Sequence, residues 1–297
     1  ICDKMSPMEY TCSLNEADLK HAQLELQEDP NTRLEAVKDI KNWILSNGIL
    51  CNTDTSYILR FLRVAHFDFR DTCQYITNHS AATSRRPEWY SSLDAAHRTV
   101  HAVLDTGCIL PLPDSDNLGR TVVLLRLGAT DPYSKVYDKN DILRTVIIVL
   151  SYLIRKETVQ VRGVVLLIDL TNFGISHQTL FSPFELRSII QAFQKAFPIR
   201  IRAIHFINNS SIFAALFEMV KFFMSQKMRK RIIFHGTDLG GFSEDIPTEI
   251  IPYSLSKGQC TLNTEAANSL LKKFRENLND PDFRRSLLEE TTQGTEI

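Results

Sequence analysis

Residues 197–236 read FPIRIRAIHFINNSSIFAALFEMVKFFMSQKMRKRIIFHG, and they set an alternating basic segment, an apolar segment and a second basic segment in unbroken succession. From Ile199 to Ile207 the alternation Ile-Arg-Ile-Arg passes into an apolar run, the pattern of a strand. A period of two puts Arg200 and Arg202 on one face and Ile199 and Ile201 on the other. Asn208, Asn209, Ser210 and Ser211 read as a turn ending in a helix N-cap, and Ile212 to Met224 carries only Glu218 and Lys221 as charges. A helix apolar nearly all round is either buried or covers something apolar. Lys227, Arg229, Lys230 and Arg231 then place four cations in five residues, and Arg231 follows Lys227 by one helical turn, so both share a face. Apolar cover beside a cationic rim points to a lidded cavity next to a surface for anions or a membrane.

Upstream, Gly163 precedes the apolar run Val164 to Leu170, whose β-branched content suits a strand covered on both faces. Ser182-Pro183 gives the cap and first-turn proline of a helix over Phe184 to Ala196. Arg120 to Leu127 reads as a further strand, and Asp141 as the cap of an apolar helix over Ile142 to Ile154. Strand, helix, strand, helix, strand is the order of a largely parallel sheet with helices packed against it. Pro111 to Gly119, punctuated by proline and glycine, reads as a loop. Nearer the N-terminus, Leu24, Leu34, Val37, Ile40, Ile44 and Leu45 recur at helical steps, broken at Asp29-Pro30 and ended by Gly48. Thr55 to Arg70 follows, with Tyr57, Ile58, Phe61 and Leu62 as its apolar face and Arg60 and Arg63 as its polar one; Asp68 starts another helix. This part reads as a small antiparallel bundle. Beyond residue 236 come a glycine-rich turn at 239–241, a short amphipathic piece ending at Ile251-Pro252, and a helix over Glu265 to Leu288 with fraying after Glu290.

Composition is that of an ordinary globular chain of 297 residues, and a formal net charge of -1 provides no global field to favour nucleic acid. Any electrostatic function rests on local clusters. Cys2, Cys12, Cys51, Cys73, Cys108 and Cys260 occur without a C-x-x-C pair, which predicts reduced thiols rather than a disulfide framework or a zinc site. The first ten residues lack the basic start and apolar run of a secretory leader, and the expectation is a cytoplasmic protein. The longest apolar run, 142–154, has thirteen residues against the roughly 20 of a bilayer span, and contains Arg144. His97 and His101 stand one helical turn apart, but Arg98 occupies the place where a zinc protease motif needs Glu, and no third ligand is placed. No phosphate loop, dinucleotide fingerprint, nucleophile elbow or H-E-x-x-H run occurs. His177, His205 and His235 lie near strand ends without an identifiable acid or nucleophile partner, and read as structural. Neither a catalytic residue nor a cofactor nor a metal is expected.

Tyr57-Ile-Leu-Arg-Phe-Leu-Arg63 with Phe67-Asp68, then Asp169, Ser176-His177, Phe197-Pro198, Ile204-His205-Phe206-Ile207-Asn208 and Phe234-His235-Gly236 fall in one order and spacing between Glu35 and Pro252. In these motifs the chain resembles the CRAL-TRIO lipid-binding family, most closely the branch containing alpha-tocopherol transfer protein and cellular retinaldehyde-binding protein. The resemblance implies an all-α N-terminal helical module at 15–90 and an α/β lipid-binding domain at 91–260, whose mostly parallel sheet floors a pocket. A C-terminal helix and tail at 261–297 complete it, with 1–14 disordered or added. The implied pocket wall takes Leu143, Val146, Ile147 and Leu150 from the apolar helix, and Val164, Leu166, Ile168 and Phe173 from the next strand and its end. Ile189, Ala192, Phe193, Phe197, Ile199 and Ile204 extend it, and Phe213, Leu216 and Met219 form the inner face of a lid. The resemblance also makes Arg200, Arg202, Lys227 and Arg231 a cleft for phosphoinositide headgroups.

Two positions depart from the family pattern. Tocopherol carriers have serines where this chain has Val146 and Leu150, and the apolar pair favours a cargo with less need of a buried hydrogen bond, such as a terpenoid, retinoid or carotenoid. Near Pro252, where the family has Glu-Tyr-Gly-Gly, this chain has Ser254-Leu255-Ser256-Lys257. The expected function is cytoplasmic binding and intracellular transfer of a small hydrophobic molecule (terpenoid, retinoid, carotenoid or tocol). The carrier is expected to be monomeric, non-enzymatic and docked peripherally on phosphoinositide-containing membranes. Two rivals stand beside it. A phospholipid or phosphoinositide exchanger regulating lipid signalling carries ordinary phospholipid, and an enzyme acting on the bound lipid needs titratable groups inside the pocket.

Overall fold

The structure, a computed structural model, describes residues 10–209, 211–236, 246–256 and 259–292. The helical periodicity of the N-terminal part resolves into α1 (Glu16–Leu26), α2 (Arg33–Ser46), α3 (Thr55–Val64), α4 (Phe69–Arg85), α5 (Pro87–Tyr90) and α6 (Arg98–Asp105). Asn15 caps α1 by accepting the Asp18 amide, Asp68 caps α4 by accepting the Asp71 amide, and Gly48 follows α2 in left-handed backbone at φ 63°. Val37, Ile40 and Ile44 of α2 pack with Ile58, Phe61 and Leu62 of α3 and Ile76 of α4 in a core of their own. Leu24, Leu34 and Leu45 share the period but are 74%, 56% and 64% exposed. The covered stripe of α2 is narrow: Leu45 lies about 100° round the helix from Ile44, and Leu34 lies at its outer end.

The sheet runs β1 (Ile109–Ser115), β2 (Thr121–Arg126), β3 (Val164–Asp169), β4 (Ile201–Ile207) and β5 (Ile232–Phe234), in that spatial order. β1 is antiparallel to β2 and the other pairs are parallel. β1 occupies the segment expected to be a loop. Pro111 and Pro113 are tolerated there because β1 is an edge strand, with one side free of ladder hydrogen bonds. Between the strands lie α7 (Lys139–Leu153), α8 (Glu157–Arg162), α9 (Ile175–Gln178), α10 (Pro183–Lys195), α11 (Ser211–Val220) and α12 (Gln226–Arg229). The cap of α7 is Asp138, which accepts the Asn140 and Asp141 amides at 2.8 and 2.9 Å, while Asp141 accepts the Asp138 amide at 3.1 Å. Asp141, expected as the cap, is thus the returning half of a capping box.

Because the parallel strands step in one direction, right-handed crossovers carry these helices over one face of the sheet. Register and alternation point Val123, Leu125, Leu166, Ile168, Ile204 and Phe206 to a common face. Between the Val164–Ile201 and Val165–Ala203 pairs the register shifts by one, so Ile201 shares the face of Ile204 and Arg202 is the extra residue. Gly163, at φ 85°, turns the chain from α8 into β3; a Cβ there would stand 2.5 Å from the Arg200 carbonyl oxygen and 2.7 Å from Arg202 Cγ. The last elements are a hairpin, β6 (Tyr253–Ser256) with β7 (Gln259–Leu262), and two helices, α13 (Thr264–Leu278) and α14 (Pro281–Thr292), where one helix was expected. Pro281 divides them. The departure at 254–257 falls in β6 as far as Ser256; Lys257, the turn at 239–241 and residues 1–9 and 293–297 lie outside the described residues.

Arg60 and Arg63, expected as the polar face of α3, are 8% and 0% exposed. Arg63 donates to Glu28 at 2.8 and 2.9 Å and to Gln160 at 2.6 Å, and pairs with Glu157 at 2.9 Å. Arg60 pairs with Glu290 of α14 at 3.0 and 3.2 Å. The polar side of α3 therefore faces the rest of the protein and binds the N-terminal helices to α8 and α14. Among the described residues, no helix is long and apolar enough to cross a membrane, and Cys12, Cys51, Cys73 and Cys108 are free thiols.

Candidate functional site

Between the Val123–Leu166–Ile204 face of the sheet and helices α7 and α10 lies a cavity of about 170 Å³. Ile109, Val123, Leu125, Leu166, Ile201 and Ile204 form its floor; Val146 and Leu150 reach it from α7, and Ile189, Ile190 and Phe193 from α10. Ile199, Met224 and Met228 close the edge toward α12. Among the described residues, Gln194 is the single polar one on the wall. Its amide is committed to main chain: Nε2 donates to the carbonyls of Ile190 at 3.3 Å and Phe223 at 3.2 Å, and Oε1 accepts the Ser225 amide at 2.7 Å. Such a wall offers no partner to a buried hydroxyl, and burying one unpaired costs about 1–3 kcal/mol.

Of the residues that the resemblance assigned to the wall, Val146, Leu150, Leu166, Ile189, Phe193, Ile199 and Ile204 line this cavity. Leu143, Val164, Ile168 and Ala192 are buried in the surrounding core. Ile147 and Phe197 line a separate hollow of about 60 Å³, against Tyr57, Arg60 and His79. Ile109, Val123, Leu125, Ile190, Gln194, Ile201, Met224 and Met228 line it too, outside the set that the resemblance implies. Parity with Leu166 across the ladder was the available signal for Val123 and Leu125; Ile201 depends on the register shift, and Met228 sits inside the basic run.

Helix α11 covers aromatic side chains. The Phe213 ring lies 5.0 Å from Phe206 and 5.7 Å from Phe173, and the Phe217 ring 6.2 Å from Phe206 and 4.9 Å from Phe234. Leu216 packs against the same core and Met219 is half-buried. Both flanks of the helix are tied. Before it, Asn208 donates to Asp169 at 2.9 Å, and Tyr253 donates to the same carboxylate at 2.7 Å. After it, Gln194 holds Phe223 and Ser225. Ile175 of α9, which packs beside α11, is exposed, as are Phe222 and Phe234.

Phe193, Gln194, Ile199, Ile201 and Met228 also wall a second hollow, of about 190 Å³, which collects Arg200, Arg202, Lys227 and Arg231 with Val64, His66 and Tyr75. The four cations expected to form a cleft are therefore brought together, and the cleft backs directly onto the apolar cavity. Arg200 is only 6% exposed; Nη1 donates to the Val161 carbonyl, and Nη2 has no hydrogen-bond partner among the described residues. Arg231 donates to the Ile201 carbonyl at 2.5 Å, and Arg202 faces Glu25 at 3.7 Å. Burial, and then the charge of Arg202, push Arg200 down to about 10. Burial followed by Arg231, Arg200 and Arg202 lowers Lys227, and burial followed by Arg202 lowers Arg231. Cations that depress one another are relieved by an anion placed among them.

Among the described residues, no titratable side chain lines the apolar cavity, and no group of three His, Cys, Asp or Glu is arranged to hold a metal. His97 caps α6, His101 lies 3.0 Å from Arg275, and His177 lies 2.9 Å from the Thr130 carbonyl. His205 and His235 stack with centroids 5.1 Å apart.

A CRAL/TRIO domain profile matches residues 105–256. Alpha-tocopherol transfer protein-like from Mus musculus is 32% identical over 267 residues, 89% of this chain and 77% of that protein; its counterpart from Homo sapiens is 31% identical over the same shares. Clavesin-2 from Rattus norvegicus is 30% identical over 242 residues, 80% of this chain and 73% of that protein. Among solved structures, that of Sfh5 aligns with 83% of this chain and 98% of its own at 11% identity, with a TM-score of 0.47. The profile match, the extent of the curated relatives and the cavity over a mixed, mostly parallel sheet agree: the chain belongs to the CRAL/TRIO family, non-enzymatic proteins that bind hydrophobic ligands.

Proposed function

We propose that this chain is a cytosolic, monomeric carrier of one small hydrophobic molecule with few polar groups, a terpenoid, retinoid, carotenoid or tocol, and that it exchanges this cargo at phosphoinositide-containing membranes. The observation that carries the reading is the apolar cavity, where Gln194, the one polar wall residue among those described, is committed to main chain. Its volume of about 170 Å³ is well below the roughly 300–1,000 Å³ of sites for ligands of this size, and Phe213 and Phe217 fill the adjoining space under α11. Cargo entry is therefore coupled to displacement of those rings and of the helix that bears them. Each cation of the cleft contributes on the order of 1 kcal/mol near an anionic surface, and exposed Ile175, Phe222 and Phe234 offer apolar contact beside the lid.

One observation favours a second reading, a phospholipid or phosphoinositide exchanger regulating lipid signalling. Cleft and cavity share five wall residues, so a headgroup in one and an acyl chain in the other are close neighbours. Mass spectrometry of organic extracts, taken from protein incubated with tissue lipid and repurified, separates the two. One enriched apolar species supports the carrier, a mixture of ordinary phospholipids supports the exchanger, and protein free of lipid contradicts both.

A further inference from the structure

His66 lines the basic cleft together with Arg200, Arg202, Lys227 and Arg231. It stands at the corner between α3 and α4 in left-handed backbone, φ 56°, followed by Phe67 at φ 58°. Histidine is among the few residues enriched in that conformation. The corner is held by Phe67 N to Leu62 O at 2.7 Å and His66 N to Arg63 O at 3.3 Å, and Arg63 is itself clamped by Glu28 and Glu157. The place of the imidazole is thus set by a buried framework.

The charged and titratable groups around it come from every neighbouring element: Arg200 and Arg202 at the start of β4, Lys227 of α12, Arg231 ahead of β5, Tyr75 of α4 and Glu25 of α1. Burial, then Arg200, with Lys227 and Arg202 adding, holds the imidazole below its ordinary 6.5, against a hydrogen bond to the Glu25 main chain that raises it. The ring is therefore neutral in the empty cleft at neutral pH. A polyphosphate among the same side chains reverses the sign of the field at the ring.

We propose that His66 is a proton-gated ligand of the cleft: it takes up a proton as the phosphorylated headgroup of a membrane phosphoinositide binds, and so tightens docking as pH falls. This rests on the reading of the cleft as a headgroup site. By linkage, each unit by which the bound headgroup raises the imidazole strengthens binding in acid, relative to neutral pH, by up to about tenfold.

The test compares the parent with His66→Asn on phosphatidylcholine vesicles carrying about 5% phosphatidylinositol bisphosphate, at about pH 7.5 and about pH 5.5, in the range where histidine titrates. Taking the ratio of parent to variant at each pH removes the titration of the headgroup itself. That ratio is expected to rise about tenfold on acidification, and the His66 ring, followed by NMR in the parent, is expected to titrate higher once inositol trisphosphate is added. An equal pH dependence in parent and variant, or a His66 titration unmoved while the probe binds, overturns the role of His66. If His66→Asn does not fold, the NMR titration of the parent decides alone. Binding of free inositol trisphosphate without binding to the vesicles overturns the membrane source, and a parent that binds neither at either pH overturns the cleft reading on which the proposal rests.

Discussion

Arg63 is fully buried yet charged, and it is tolerated because Glu28, Glu157 and Gln160 surround its guanidinium. Breaking such a set from one side removes the ion pair of Glu157 and leaves Glu28 with Arg33 as its remaining cation, at a cost of up to about 3–5 kcal/mol. Arg63→Met is therefore expected to lower the urea midpoint markedly with little change in slope; an unchanged midpoint would show that the pairs carry no net stability. Glu157 adds a pH dependence. Burial alone raises its carboxyl, but the hydrogen bond from Tyr10, the Arg63 charge and two bonds from Ser13 bring it from 4.5 to about 2. With the folded value below the unfolded one, its contribution is complete above about pH 4.5 and is lost as pH falls toward 2. Unfolding measured across that window is expected to show a flatter acid limb for Glu157→Gln than for the parent, and parallel limbs would contradict the assignment.

Helix α11, the proposed lid, is tied at its two flanks, and Gln194 holds the later one. Gln194→Met leaves the half-buried Phe223 carbonyl without its partner, at about 1–3 kcal/mol, and gives the exposed Ser225 amide over to water. We expect release of a fluorescent apolar probe to quicken about tenfold, with faster hydrogen exchange at the Ser225 amide; unchanged release would remove Gln194 from control of the lid. Much of this architecture is legible in the chain, because α10 begins on Ser182-Pro183, β3 is a continuous apolar run, and Val146 and Leu150 lie four apart on one helical face. What is not legible depends on neighbours in space. Two prolines read as a turn until β1 is seen at the sheet edge, the three residues of β5 are too short to leave a period, and the register shift at Arg202 moves Ile201 to a face that strict alternation denies it. Gln194 looks like the wet side of an amphipathic helix, and its role emerges only when residues 223–225 fold against it.

The fold joins a bundle with its own core to a sheet that carries both hollows, and the cleft is assembled from both parts: Val64, His66 and Tyr75 from the bundle, the four cations from the sheet side. The proposed docking therefore needs both parts of the chain. Charge reversal at Arg200 is a poor probe, since that side chain is buried and bound to the Val161 carbonyl. Arg202→Glu with Lys227→Glu, both on more accessible side chains, is expected to weaken binding to anionic vesicles by at least about tenfold while leaving cargo occupancy unaltered. Equal vesicle binding would remove the cleft from docking. The central claim, that the cavity over Leu166 holds the cargo, is tested most directly by loading the parent and Leu166→Trp with the same tissue lipid and comparing their extracts by mass spectrometry, folding being checked by circular dichroism. The expected result is one enriched apolar species at about one equivalent in the parent and none in the folded variant, because the indole fills the cavity. Equal loading of both proteins would put the cargo elsewhere and contradict the account.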